Sequence, residues 1–188
     1  MTLKDYISEL NKQFRTGIAR EHSYRPALQQ LMSAMLTDMV VTNEPARIDC
    51  GAPDYIISRK SDNAPVAFVE AKDINDSDLD GYKQHKLQFN RYRESLDRII
   101  FTDYLDFHFY ENGELKDCIR LGKVDGNKIV GIDTSFGKFV VMIKAFTNSL
   151  PQKITSAGRL ASIMASKARL LAETIKRVLD KENDSASI

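Results

Sequence analysis

The stretch Pro53–Lys72, PDYIISRKSDNAPVAFVEAK, decides how the rest of the chain is read. Two apolar runs, Tyr55-Ile56-Ile57-Ser58 and Val66-Ala67-Phe68-Val69, flank a polar turn and read as adjacent strands. Side chains alternate along a strand, so Glu70 and Lys72 project to one face and Ala71 to the other. Asp54 opens the first strand and is placed beside them if the two strands pair. The second strand is apolar on both faces, the pattern of a central strand. Ionised groups at the end of such a strand must be paired, hydrated or bound to metal. Two carboxylates and an ammonium converging there suit a hard divalent cation and a phosphate. The plainer alternative is an ion pair of Lys72 with Asp54 or Glu70 at a sheet edge. A second Glu-x-Lys, Glu114-Leu115-Lys116, follows the turn signal Asn112-Gly113 and reads as a solvated edge.

The 188 residues are enough for one domain with a real core and an appended helical piece. A hydrophobic content of 43% with 28% charged residues is that of an ordinary globular protein. The net charge of +1 excludes a globally basic nucleic-acid binder and leaves room for a local basic patch. Cys50 and Cys118 supply neither a disulfide framework nor zinc-ligand spacing. No apolar run reaches the length of a membrane span, and Met1-Thr2-Leu3-Lys4-Asp5 opens no signal core. The expected compartment is cytoplasmic, with no membrane partner.

Leu3, Tyr6, Ile7, Leu10 and Phe14 form a helical stripe that ends at Arg15-Thr16-Gly17. Arg25-Pro26 suits the first turn of a second helix running through Leu28, Leu31, Met32 and Met35. Val40–Asn43 reads as a strand. After Lys72 an acidic turn, Asp73–Asp80, leads into a helix expected from about Leu79 to Leu96. Short strands are expected at Arg98–Thr102, Phe107–Tyr110 and Leu115–Leu121, and a loop-rich segment at Gly122–Asp133. A helix over Phe136–Thr147 should stop near Pro151. A last helix from about Thr155-Ser156 places Leu160, Met164, Leu171, Ile175 and Val178 on one stripe, before a polar, frayed tail at Lys181–Ile188. There is no internal repeat. This order predicts an α/β or α+β core with a mixed sheet.

Pro53-Asp54 followed by Glu70-Ala71-Lys72 resembles the PD-(D/E)xK nuclease motif. Five spaced blocks sharpen the likeness: Glu21-His22-Ser23-Tyr24-Arg25-Pro26, Asn43-Glu44-Pro45, Asp49-Cys50-Gly51-Ala52-Pro53-Asp54, Glu70-Ala71-Lys72-Asp73 and Phe101-Thr102-Asp103. Together they resemble the amino-terminal nuclease domain of single-polypeptide Type I and Type IIG restriction-modification enzymes. The likeness runs from about Glu21 to Glu114, and more loosely through the last helix. It implies a restriction-endonuclease-like α/β fold: a central mixed sheet flanked by helices, with a carboxy-terminal helical extension. The implied division is a nuclease core over residues 1–150 and a helix and tail over 151–188. The implied cofactor is Mg²⁺, with Mn²⁺ possible, held by Asp54 and Glu70 with the Ala71 carbonyl as a further candidate. Lys72 would stabilise the scissile phosphate or orient the attacking water.

Glu21 resembles an additional first-helix acid of such nucleases, a metal ligand directly or through water; a helix-terminus acid paired with Arg20 or Arg25 is the alternative. His22 reads as a hydrogen-bonding neighbour rather than a base. Arg25 is either a phosphate contact or a surface arginine. Gln88-Phe89-Asn90-Arg91-Tyr92 matches the Gln-x-x-x-Tyr motif that accompanies this nuclease. Residues four apart share a helix face, so Gln88 and Tyr92 can reach the metal site or the DNA together. A plain amphipathic helix with Tyr92 half-buried beside Phe89 has the same spacing. Lys83, Lys86, Arg91 and Arg93 would make this helix a phosphate track or a solvated face.

Two decoys fall away. Asp76-x-Asp78-x-Asp80-Gly81 begins like an EF-hand loop, but its twelfth position is Leu87, and helix capping explains the acids better. The glycine spacing of Gly126–Gly131 mimics a P-loop, but Ile132-Asp133 replaces the lysine and hydroxyl residue. The expected function is therefore a Mg²⁺-dependent endonuclease domain acting on double-stranded DNA. Translocase or methyltransferase and target-recognition domains of a parent enzyme would be its partners, and a dimer would serve double-strand cleavage. The alternative is a catalytically silent DNA-binding or assembly module of the same fold. The last helix, with Arg159, Lys167, Arg169, Lys176 and Arg177, would dock the next domain, bind a partner protein or cover its own sheet.

Overall fold

Four apolar residues of the first stripe, Leu3, Tyr6, Ile7 and Leu10, are buried along α1, Leu3–Phe14. Its start is closed by Thr2 and Asp5, each side chain accepting the other's backbone N–H. The computed structural model describes residues 1–48 and 50–148, with helical positions further on at Ala161, Met164, Ala165, Ala168 and Ala172. The rest of the expected last helix, its stop near Pro151, the polar tail and the boundary at 150/151 lie outside the described residues, as does Asp49.

The second helix, α2, spans Glu21–Met35 and begins earlier than its proline suggests. The Ser23 hydroxyl accepts the Arg20 N–H, and the Asp73 carboxylate accepts the Glu21 N–H at 2.6 Å. These caps start the helix five residues ahead of Pro26, which therefore lies in the second turn, where its ring removes one intrahelical donor. Pro26 and His22 both face solvent, where water can satisfy the His22 carbonyl.

The chain continues through β1 (Met39–Asn43), β2 (Tyr55–Arg59), β3 (Pro65–Ala71), α3 (Lys86–Ser95), β4 (Arg98–Thr102), β5 (Asp106–Glu111) and β6 (Glu114–Arg120). It then forms β7 (Gly122–Asp125), β8 (Lys128–Gly131) and α4 (Asp133–Asn148). Strands β1 to β6 make one sheet in chain order. All neighbours are antiparallel except β3 and β4, which α3 connects by a crossover. Glu114 and Lys116 pair on β6, the solvated edge expected for the second Glu-x-Lys.

Two further expectations fail. Gly122–Asp133 contains a two-stranded hairpin, with Gly126 at φ +61° in its turn and the Ile129 N–H held by Asn11 of α1. Charged Lys123, Asp125 and Lys128 hide its alternation in the sequence. Helix α3 begins at Lys86, not near Leu79, because the Asp78 carboxylate accepts the N–H groups of Tyr82, Lys83 and His85 and holds that segment as a loop. Gly81, at φ +67°, lies on the Phe89 ring; a β-carbon there would sit 2.7 Å from it.

The sheet has two unequal faces. Tyr55, Ile57, Ala67, Val69, Ala71, Ile100 and Phe109 join α1, α2 and α4 in the larger core. Ile99, Phe101, Tyr110 and Phe68 meet Phe89 and Tyr92 of α3, and Leu96 just after it, in a smaller one. Strand alternation puts Glu70 on the same face as Phe68, toward α3. Among the described residues no helix is long and apolar enough to cross a membrane.

Phe89 stacks on Phe101 with ring centroids 3.8 Å apart and is fully buried. Phe89→Ala should cost about 3–5 kcal/mol in urea unfolding followed by circular dichroism. Leu87→Ala, two residues away and exposed, should change stability by less than about 0.5 kcal/mol.

Candidate active site

The antiparallel pairing of β2 with β3 fixes the site. Tyr55 lies opposite Val69, which brings the residue before β2 to the end of β3. Asp54 Oδ2 accepts the Ala71 N–H at 2.7 Å, so the carboxylate is tied to the strand that carries Glu70. Glu70 Oε1 accepts Lys72 Nζ and Gln88 Nε2, each at 2.7 Å. Glu70 Oε2 is buried and accepts no hydrogen bond among the described residues. Lys72 is anchored by its backbone N–H to the Thr102 carbonyl, and its ammonium lies 5.8 Å from the Phe89 ring centroid.

Arg25 is neither a surface arginine nor open to a phosphate: it is 7% exposed. Its guanidinium donates to Glu21 at 2.7 Å, to Glu44 at 2.9 Å and to Asp54. Glu21 therefore meets the site through the arginine one turn further along α2. Among the described residues no three His, Cys, Asp or Glu side chains gather closely enough to hold a metal, so Glu21 does not join Asp54 and Glu70 around one point. His22 is exposed, with Nδ1 3.8 Å from the Glu44 carboxylate.

Gln88 and Tyr92 do share one face of α3 with different tasks. Gln88 holds Glu70. Tyr92 is buried completely rather than by half, packed so closely on Gly51 that a β-carbon there would lie 2.9 Å from its hydroxyl. Arg91 donates to the Cys50 carbonyl, so α3 pins the segment leading into Pro53-Asp54. Arg93 is engaged with Asn90 and the Asp80 carbonyl, whereas Lys83 and Lys86 face solvent.

Three contributors carry no role in the sequence reading. Glu44, at φ +48°, donates its N–H to the Asp54 carbonyl, and its carboxylate accepts from the Arg25 guanidinium. Asp73 caps α2. Tyr104, at φ +72°, donates its hydroxyl to the Glu21 carbonyl and accepts that of Tyr6 on its own carbonyl. Only Glu44 and Asp73 leave a trace in the sequence, as members of the recurring blocks.

Four carboxylates, Glu21, Glu44, Asp54 and Glu70, thus face two cations, Arg25 and Lys72. Burial, then the Asp54 charge, push the Glu70 carboxyl up to about 7 against the pull of Lys72. Burial also raises Asp54, despite the Ala71 N–H and Arg25. Surplus negative charge, hard oxygen donors and one buried unpartnered carboxylate oxygen fit a cation such as Mg²⁺ or Mn²⁺, with water or phosphate completing its coordination.

A mixed six-stranded sheet between helical layers, with these residues at its end, defines a restriction-endonuclease-like α/β fold. The chain is similar in structure to the DrdV–DNA complex solved by cryo-EM, at a TM-score of 0.60 and 24% identity. That match covers 79% of this chain and 14% of the DrdV chain. No family model and no curated protein matches the chain.

Two measurements probe the geometry. Because the folded Glu70 carboxyl titrates near 7 and the unfolded one near 4.5, the native state binds the extra proton between those values. Stability of the metal-free protein should be highest below about pH 4.5 as far as Glu70 is concerned, and should fall on the order of 3 kcal/mol as pH rises through 7. Glu70→Gln should flatten that slope in denaturant titrations across the range. Gln88→Ala removes a donor to the ionised carboxylate and should move the Glu70 titration, read by carboxyl carbon NMR, above 7.

Proposed function

We propose that this chain is the metal-dependent endonuclease part of a larger restriction-modification enzyme, hydrolysing phosphodiester bonds in double-stranded DNA. The observation that carries this reading is Glu70: a buried carboxylate with one oxygen unpartnered, beside Asp54 and Lys72 at the end of a central strand. Asp54 and Glu70 would hold Mg²⁺, or Mn²⁺ in its place. The bound cation supplies Lewis-acid polarisation of the phosphate and a more acidic water. Lys72 would orient the attacking water or neutralise charge developing on the phosphoryl oxygens. Gln88 keeps the Glu70 carboxylate aimed, and the Ala71 N–H does the same for Asp54. Lys83 and Lys86, exposed just before and within the first turn of α3, extend the site toward a phosphate backbone.

The likeness to a chain solved with DNA supports DNA as the partner, and the 14% share supports a place within a longer polypeptide. Translocase or methyltransferase and target-recognition domains would supply specificity, and a second copy would serve cleavage of both strands. The cytoplasm is the compartment that gives access to such a substrate. A silent module of the same fold is the second reading, favoured by the guanidinium already seated among three carboxylates. Such a module would bind Mg²⁺ or Mn²⁺ at no point near Glu70 in calorimetry.

Incubation of supercoiled plasmid with Mg²⁺ or Mn²⁺ tests the nuclease reading. Asp54→Asn, Glu70→Gln and Lys72→Ala should each lower the rate of nicking or linearisation by at least about 100-fold, with circular dichroism unchanged. Undiminished cutting by these variants rejects the assignment.

A further inference from the structure

Arg25 holds an unusual position for an arginine beside a cation site. It is buried, its Nε–H finds no acceptor among the described residues, and its two terminal nitrogens serve Glu21, Glu44 and Asp54 at once. Its backbone has little freedom to leave. The Tyr55 hydroxyl donates to the Arg25 carbonyl at 3.0 Å, the Tyr104 hydroxyl to the Glu21 carbonyl at 2.7 Å, and Asp73 fixes the Glu21 N–H. The guanidinium, by contrast, donates only to carboxylates among the described residues. Asp54 has both oxygens engaged, one by Arg25 and one by Ala71, whereas Glu70 keeps Oε2 open.

We propose that Arg25 is a built-in counter-ion that competes with the divalent cation for Asp54, holding the acid cluster together without metal and keeping metal affinity low. The proposal rests on the cation site inferred above and assigns Arg25 a positioning role, with no contact to substrate. A guanidinium bridging three carboxylates neutralises charge that would otherwise drive the buried acids apart. A dication binding Asp54 must then share that oxygen with the guanidinium or displace it, and it meets the repulsion of a fixed positive charge nearby. Affinity is conditional as a result: a phosphodiester arriving at the site adds negative charge and helps the cation in. Exposure of Glu44, 66% at its side chain against 8% for Arg25, gives the guanidinium a partner near solvent to swing toward.

The test uses the full chain and Mn²⁺ or Mg²⁺ alone, with calorimetric affinity and the melting temperature as readouts. Arg25→Met should lower the metal-free melting temperature, bind Mn²⁺ at least about tenfold more tightly than wild type, and recover more of its melting temperature on adding metal. Arg25→Lys keeps the charge but cannot bridge three carboxylates, so its affinity should fall between the two; it decides the matter if Arg25→Met folds neither with nor without metal. A variant that folds only with metal also supports competition. Weaker or unchanged Mn²⁺ binding in both variants overturns the proposal, since a purely structural arginine predicts one of those results. Wild-type binding that Glu70→Gln abolishes, with Arg25 variants unchanged, sinks this inference and leaves the nuclease reading standing. Silence from wild type and both Arg25 variants sinks both.

Discussion

The Ala71 amide is where the fold and the chemistry join. By donating to Asp54 it ties the residue before β2 to the strand carrying Glu70, and so forces two carboxylates together at a buried sheet end. Burying two like charges is costly unless they are matched. Much of the surrounding architecture follows from that constraint. Arg25 enters from α2, Lys72 from the residue just past β3 and Gln88 from α3, each donating to one of the two acids.

That convergence explains why helices on both faces are anchored so near one point. Helix α2 is capped by Asp73, braced by Tyr104 and Tyr55, and packed through Leu28 and Leu31 into the larger core. Helix α3 is seated by Phe89 on Phe101 and pins Cys50 and Gly51 through Arg91 and Tyr92. Each helix therefore serves the sheet with its apolar stripe and the site with one polar side chain. Positive φ at Glu44 and Tyr104 falls in the same neighbourhood, where the chain must turn tightly to deliver these contacts.

The balance of charge leaves the cluster unfinished as protein alone. Four acids face two bases, one carboxylate oxygen is open, and burial holds Glu70 partly protonated near neutral pH, a balance that a further cation would complete in the reading proposed above. Arg25 supplies part of that need from within. In the reading proposed above, the same arrangement would stabilise the protein without metal and oppose metal binding, which is why the residue stands between the catalytic and the silent readings of this fold.

The strands and their neighbourhood were legible in the sequence because both rest on local pattern. Period-two alternation marks β2 and β3, the polar turn marks their pairing, and parity alone puts Glu70 and Lys72 on one face. The spacing of Gln88 and Tyr92 likewise fixes a shared helix face. The start of α3 and the β7–β8 hairpin were not legible, since one depends on the Asp78 carboxylate gathering the N–H groups four to seven residues ahead of it into a loop, and the other on four-residue strands interrupted by charge. The roles of Arg25, Glu44, Asp73 and Tyr104 belong to tertiary structure alone. Apart from Glu21, four residues from Arg25, and Asp54, ten from Glu44, their partners lie 19 to 98 residues away along the chain, and no local periodicity encodes which further carboxylates a buried guanidinium will meet. Sequence determined which groups arrive at the sheet end on β3; only the packing of α2 and α3 decided how their charges are shared.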